Sequence, residues 1–430
     1  MRVMKWSMIA LAVAAGTSQM ALASSQDESK GFIEDSSLNV KMRNLYFSRD
    51  YRNKETVGNR ANRIRHDQRE WGQGFIGTFE SGFTQGTVGV GVDAIGLLGI
   101  KLDSGRGYSQ TGLFPTGSDF RSQDDYSKGG AAVKFRVSDT VLKVGQQFTA
   151  LPVLATDDSR LLPETAEGAL ITSNEIKGLT LHAGRFTALN AQAETNHDSL
   201  GLKSANVFGG TYTITDGLTT SLYYSKVEDY WRKYYGNVNW SIPLSDKQGL
   251  VFDFNIYDTK SDGQGIQRAA KDEETKLDNR AFSLSGAYTF GAHTFTLAFQ
   301  RVTGDGDYGY GVDGGGTVFL ANSIARSDFN AEDEKSWQAR YDLNFAEFGV
   351  PGLTFMTRYA RGTGANTATT NDGKEWERDI DVKYVLQEGP AKDLSFRVRQ
   401  ATYRSSDGVY YGSGSIDELR LIVEYPLSIL

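Results

Sequence analysis

Apolar and polar side chains alternate one for one in segment after segment of this chain. Leu38, Val40 and Met42 alternate with Asn39, Lys41 and Arg43, and Val88, Val90 and Val92 with Gly89, Gly91 and Asp93. Ala131, Val133, Phe135 and Val137 alternate with Ala132, Lys134 and Arg136. Late in the chain Phe295, Leu297 and Phe299, then Leu394, Phe396 and Val398, then Leu419, Leu421, Val423 and Tyr425 repeat the pattern. A period of two places each set on one face of a strand. Such segments number about 18, a count in the range of channel-sized barrels. They fall near 38–50, 66–80, 87–102, 128–138, 140–148, 168–175, 179–188, 203–214, 218–229, 230–242, 249–259, 279–289, 292–302, 335–345, 352–361, 375–386, 393–404 and 416–425.

The connections alternate in length. Ser138-Asp139, Lys177-Gly178, Asp216-Gly217, Gly291-Ala292 and Gly389-Pro390 read as tight turns, because Gly, Asp and Pro suit turn geometry. The segments 103–127, 149–167, 260–278, 303–334 and 405–415 are long and polar. In a soluble sandwich the apolar faces would form a core. Short turns at one end and long loops at the other point instead to an outer-membrane barrel, whose apolar faces meet lipid and whose polar faces line a lumen. The expected fold is all-β, a transmembrane antiparallel β-barrel of about 18 strands.

One stretch breaks the alternation, Leu151 to Gly168. Pro152 and Pro163 bracket it, and proline donates nothing to a sheet ladder. Val153-Leu154-Ala155 and Leu161-Leu162 flank a polar centre, Asp157-Asp158-Ser159-Arg160. Apolar flanks of this kind need protein to pack on. The stretch therefore reads as a constriction loop over about 149–168, folded into the barrel with its charged centre facing the lumen.

The first residues have the order of an export signal. Arg2 and Lys5 give the positive start, Met8 to Ala15 is an apolar run too short to span a bilayer, and Ala21-Leu22-Ala23 is a small-x-small cleavage site. Residues 1–23 are the expected signal peptide and 24–430 the barrel. Without Arg2 and Lys5 the balance is 44 basic against 53 acidic residues. That acidity argues against nucleic acid as a partner, since nucleic-acid binders carry a basic surface. There are no cysteines and only 7 prolines, against 48 glycines, 21 tyrosines and 23 phenylalanines. The mixture suits a large barrel closed by backbone pairing rather than by disulfides.

Catalytic signatures are lacking. The histidines are His66, His182, His197 and His293, and no G-x-S-x-G or H-E-x-x-H motif accompanies them. Gly304-Asp305-Gly306-Asp307 and Gly314-Gly315-Gly316 lack the spacing of a calcium loop and read as a flexible external loop. No catalytic residue, metal or cofactor is expected.

Three stretches carry a family resemblance. The first is Gly31-Phe32-Ile33-Glu34-Asp35-Ser36-Ser37-Leu38, followed by Arg43-Asn44 and Phe47-Ser48-Arg49-Asp50-Tyr51. The second is Ser81-Gly82-Phe83-Thr84-Gln85-Gly86-Thr87-Val88-Gly89 with Asp93 to Gly99, and the third is Leu151 to Gly168. Together they resemble the OprD-type outer-membrane porins, the third matching that family's inward-folded loop. Leu430 ends the chain where outer-membrane proteins often place an aromatic residue, and Tyr425 stands five residues earlier. The resemblance implies an 18-stranded, substrate-selective channel of the outer membrane with a ladder of arginines leading anionic groups through the pore. It also implies a division between channels for basic amino acids and channels for other carboxylates, aromatic acids included.

Residues for such a ladder stand on the polar parity of the strands: Arg43, Lys134 and Arg136 early, then Arg340, Arg358, Lys383, Arg397, Arg399 and Arg420. Guanidinium groups offer carboxylates bidentate partners. Weak sites in series permit entry without trapping. Asp342, Asp379, Asp381, Glu418 and Glu424 share that parity and could pair with them. Asp157, Asp158, Ser159 and Arg160 are expected to oppose the ladder across the pore. Arg185, Arg280, Arg301 and Arg378 have the opposite parity and point outward near the extracellular ends of their strands. There the phosphates of outer-leaflet lipid and lipopolysaccharide are the expected partners. The function expected is passive uptake of small carboxylate-bearing solutes through a monomer or a weak trimer. A channel for basic amino acids and small peptides is the alternative, and an adhesin or structural anchor the third reading.

Overall fold

The computed structural model describes residues 26–52, 67–103, 109–265, 276–312, 316, 318–406, 409 and 414–430. The expected signal peptide and His66 lie outside the described residues, as do Gly314 and Gly315. Eighteen long strands form one antiparallel sheet. They are β1 (Ser37–Tyr51), β2 (Gln68–Glu80), β3 (Gly89–Lys101), β4 (Asp125–Val137), β5 (Thr140–Gln147), β8 (Thr165–Ile176), β9 (Leu179–Asn190), β10 (Ala205–Thr215), β11 (Leu218–Val227), β12 (Trp231–Ser245), β13 (Gln248–Ser261), β14 (Asp278–Phe290), β15 (His293–Asp305), β16 (Lys335–Asn344), β17 (Leu353–Ala365), β18 (Gly373–Val385), β19 (Ser395–Ser405) and β20 (Ile416–Ser428). Two short strands, β6 (Ala150–Leu151) and β7 (Leu154–Ala155), form a small hairpin of their own. Each long strand pairs with the next, and β1 pairs with β20 from Asn39↔Ser428 to Tyr51↔Ile416. That last pairing closes the barrel. Closure leaves no row of unpaired backbone groups facing lipid, where water could not satisfy them.

The two faces sort as the alternation requires. Phe208, Leu222, Tyr234, Leu284, Phe295 and Leu297 are exposed on the outer face. Aromatic pairs stand towards both ends of that face. Trp337–Tyr359 and Tyr224–Tyr234 lie near the loop end, and Trp240–Phe252 and Phe295–Tyr341 near the turn end. Such girdles mark the two membrane interfaces. At the turn end Gly178 and Gly291 adopt φ of +78° and +54°, left-handed values that glycine takes without penalty.

Three expectations about connections need correction. The connection at Gly389-Pro390 is not a tight turn. It runs over 386–394, closed by Asp393 N donating to the Leu386 carbonyl at 2.9 Å. The constriction loop ends at Glu164, since Thr165 to Gly168 already pair with β9 as wall. The run Gly304 to Asp307 does not open a flexible external loop: Gly304 and Asp305 still belong to β15, and in the described part of the long segment that follows, Tyr308, Leu320 and Phe329 are buried. That segment folds into the lumen, because the inner wall there offers polar side chains to its backbone. Gln300 Nε2 donates to the Asp328 and Phe329 carbonyls at 2.7 and 3.0 Å, and Gln338 Nε2 to Ala321 O at 2.8 Å. Glu377 accepts from the backbone N–H groups of Arg326 and Ser327.

Candidate functional site: the constriction and the charged wall

The constriction loop, residues 148–164, is anchored in two apolar clusters. Leu151 and Val153 pack with Phe186, Leu189, Trp231, Tyr257 and Leu320. Leu161 and Leu162 pack with Leu45, Phe47, Ile76, Leu97, Leu113 and Phe114. The first cluster belongs to the β8–β15 sector of the wall and the second to the β1–β4 sector. The polar centre hangs between them because its flanks are held at both sides. Gly74 makes room for the second anchor: a Cβ there would stand 2.9 Å from the Leu161 carbonyl oxygen and 3.3 Å from its side chain. Gly74→Val is therefore expected to push Leu161 off the wall and raise single-channel conductance by a measurable step. An unchanged conductance would show that this contact does not set the aperture.

Charge then fixes the centre. Arg43 Nη1 contacts Asp158 Oδ1 at 2.7 Å and donates to Arg160 O at 2.6 Å, while Arg43 Nε binds Glu424 at 2.7 Å. Lys41 Nζ reaches Asp158 at 2.9 Å. Burial alone would raise the Asp158 carboxyl, but Arg43 and Lys41 outweigh it and hold the group at about 2. Asp158 thus does not oppose the basic wall across an open pore, as the sequence suggested; it touches that wall and tethers the loop to it. Asp157 turns back on its own loop, accepting from Ser159 N at 2.7 Å. Arg160 joins the arginines instead of balancing them. Its guanidinium lies 5.4 Å from the Phe47 ring centroid, with Arg49 at 4.6 Å and Arg420 at 4.3 Å over the same ring. A buried ring face attracts cations most when water is excluded.

Register arranges the other charges in successive rungs around the inner wall. Arg340, Arg358, Asp379, Ala401, Glu418 and Arg49 are neighbours across six strands. One step nearer the turn end come Asp381, Arg399, Arg420 and Phe47, then Lys383 and Arg397, then Glu424 and Arg43. Six residues separate Arg43 from Arg49, about 20 Å at the usual strand rise. Carboxylates pair within and between the rungs: Arg358–Asp379 across one rung at 2.6 Å, Arg340–Asp342 along one strand at 2.6 Å, and Arg420–Glu418 along another at 2.6 Å. Arg49 also reaches Glu418, at 3.0 Å. Arg397 and Arg399 share Asp381, at 2.6 and 3.0 Å. Arg397 and Arg399 keep 34 % and 25 % of their side-chain surface open, whereas Asp381 keeps 7 %. At this pair the lumen is thus offered more guanidinium than carboxylate.

The nine basic residues singled out in the sequence do not form one column. Arg340, Arg358, Lys383, Arg397 and Arg399 share the β16–β19 wall. Arg43 and Arg420 are almost closed off, and Arg420 donates to Ser159 O at 3.3 Å and Ala325 O at 3.4 Å. Arg420 thereby bridges the two inward loops. Lys134 and Arg136 stand apart near the turn end. Lys134 pairs with Asp93 at 2.7 Å, Arg136 bonds Gln26 at 2.7 Å, and both lie over Phe83. Arg185, Arg280, Arg301 and Arg378 lie on the outward parity of their strands.

Sequence reasoning missed Arg49 and Lys41, although both share the parity of Arg43 on one strand. It also missed Asp328, whose carboxylate accepts from Tyr310 Oη at 2.6 Å. Burial raises its pKa, and Asp157 raises it further. The apolar run Val318-Phe319-Leu320 was the signal that its loop turns inward.

Residues 30–429 match the family described as outer membrane porin, OprD family. Porin D of Pseudomonas aeruginosa is 49 % identical over all of both chains. A crystal structure of P. aeruginosa OprD superposes with a TM-score of 0.78 at 46 % identity, covering 95 % of this chain and all of the other. The crystal structure of P. aeruginosa OpdK with vanillate gives 0.80 at 35 % identity, over 93 % of this chain and all of that one. A closed 18-stranded barrel with aromatic girdles, an inward third loop and a match along its length leaves one conclusion: the chain belongs to the OprD family of outer membrane porins.

Proposed function

We propose that this porin takes up small solutes bearing a carboxylate, guided along Arg340, Arg358, Lys383, Arg397 and Arg399. The observation that carries the reading is the sharing of Asp381 by Arg397 and Arg399. One carboxylate cannot neutralise two guanidinium groups, so the pair retains positive charge facing the lumen. A passing carboxylate accepts from either in turn, and neither contact is deep enough to trap it. Arg43 and Arg420 act as anchors of the inward loops, and Lys134 and Arg136 order the turn-end mouth. The vanillate held by OpdK is an aromatic carboxylate, which agrees with this solute class.

A second reading rests on Asp157 and Asp328, one on each inward loop and close enough for their charges to interact. Together they would receive the cationic end of a basic amino acid while the arginines hold its carboxylate. Swelling of proteoliposomes in size-matched solutes separates the two. Benzoate-like and succinate-like acids are expected to enter faster than arginine or lysine. Faster swelling in arginine than in any mono- or dicarboxylate would overturn the carboxylate reading and favour the second.

A further inference from the structure

The outer face of β9–β16 carries a band of cations at its loop end: Arg185, Lys226, Arg232, Lys260, Arg280, Arg301 and Lys335. Register sets them side by side. Lys226 is the cross-strand neighbour of Arg232, Arg232 of Lys260, and Arg301 of Lys335. Like charges directly opposite on a sheet repel. Four carboxylates lie near the band and offset it only in part. Asp262 is shared by Lys226 at 3.3 Å and Arg232 at 3.4 Å, Asp278 meets Lys260 at 3.1 Å, and Asp258 meets Arg280 at 2.8 Å. Asp305 stands opposite Asp278.

One step towards the membrane midplane the surface turns apolar. The Tyr224 and Tyr234 rings lie 4.9 Å apart directly below Lys226 and Arg232, beside exposed Phe208 and Leu222. We propose that this band binds lipopolysaccharide, its cations taking the lipid A phosphates while the apolar surface below takes the acyl chains. The cations stand on the outer face of the barrel sheet with the apolar side chains directly below them. A ligand held there must join phosphate to hydrocarbon in one molecule, with the phosphate at the interface. The cations stand where outward charge costs least, near the membrane surface. The band continues the surface that any membrane barrel gives to lipid, so no separate docking event is required.

The test uses the whole barrel in detergent and titrates bisphosphorylated lipid A by native mass spectrometry. Lys226→Gln, Arg232→Gln and Lys260→Gln together are expected to weaken binding by roughly a hundredfold, at about fivefold for each basic residue near an anionic surface. Lys226→Arg with Lys260→Arg is expected to keep it. On the unaltered barrel, lipid A stripped of phosphate is expected to bind at least tenfold more weakly, a comparison needing no variant that folds. Conductance of the triple variant is expected to match the unaltered protein, since the inner wall is untouched. Equal binding of phosphate-free lipid A overturns the proposal, as does undiminished binding by the folded triple variant. Full displacement of lipid A by millimolar inorganic phosphate would identify a free-phosphate site and overturn it too.

Discussion

Replacing Arg397 and Arg399 with glutamine is expected to cut carboxylate uptake about tenfold, the equivalent of roughly 1.4 kcal/mol lost along the path. Reversal potential should shift towards cation preference. The reason is the shared carboxylate. Asp381 is held by these two arginines alone among the described residues, in contacts of 2.6 and 3.0 Å. With both gone, the wall loses two cations and keeps an anion, so the local sign inverts rather than merely weakening. The effect should be largest at low ionic strength, where screening reaches furthest. Asp381 is nearly closed off, and leaving it unpaired threatens assembly. Heat-modifiable gel mobility checks this. Adding Asp381→Asn to the double variant removes the stranded charge while the cations stay absent. That triple variant should assemble as the unaltered barrel does and still pass carboxylates slowly. Unchanged uptake and reversal potential in an assembled double variant would sink the ladder.

Much of the barrel was legible because its signal is local. Strand residues see only two environments, and a period of two reports which one. Every expected strand is found within a few residues of its place, as with 179–188 against Leu179–Asn190 and 416–425 against Ile416–Ser428. The inward parity of Arg358, Arg397 and Arg420 came from the same arithmetic. Parity does not say which inward residue remains open. Arg43 and Arg420 share the face of Arg397, yet the loops close over them, and that is a fact of tertiary packing. Gly304 to Asp307 and Gly314 to Gly316 read as an external loop because glycine runs carry no inward signal of their own, and that signal sits further on, in Val318, Phe319 and Leu320. The inward fold of the segment depends on Gln300 and Gln338, on the two strands that flank it, and on Glu377, from a strand that follows later in the chain. Asp158 was legible as an inward charge but not as a tether, since its partner Arg43 lies 115 residues away.

Deleting Ala155 to Arg160 is expected to raise conductance several-fold and blunt selectivity, although not to the level of an open barrel. Three tethers are lost together. Asp158 leaves Arg43 and Lys41, the Arg160 carbonyl leaves Arg43, and the Ser159 carbonyl leaves Arg420. Leu151, Val153, Leu161 and Leu162 remain, so both apolar anchors can still pack and the barrel should still assemble. The gain has a ceiling because the second inward loop stays, held by Gln300 and Glu377 rather than by the deleted residues. Asp158→Asn alone removes the charge but keeps the chain, and is expected to give a smaller rise with noisier open-channel current. Acidification distinguishes tether from chain in the unaltered protein. The Asp158 carboxyl is held at about 2, below its usual 3.8. A depressed carboxylate stabilises above its unfolded value and loses that contribution only as pH falls through the folded one. The tether should therefore hold from pH 7 to pH 4, with no loosening of the loop from this group in that window. Single-channel recordings of the deletion, Asp158→Asn and the unaltered protein across that range decide the matter. A deletion variant that assembles and conducts like the unaltered protein would place the loop outside the conduction path.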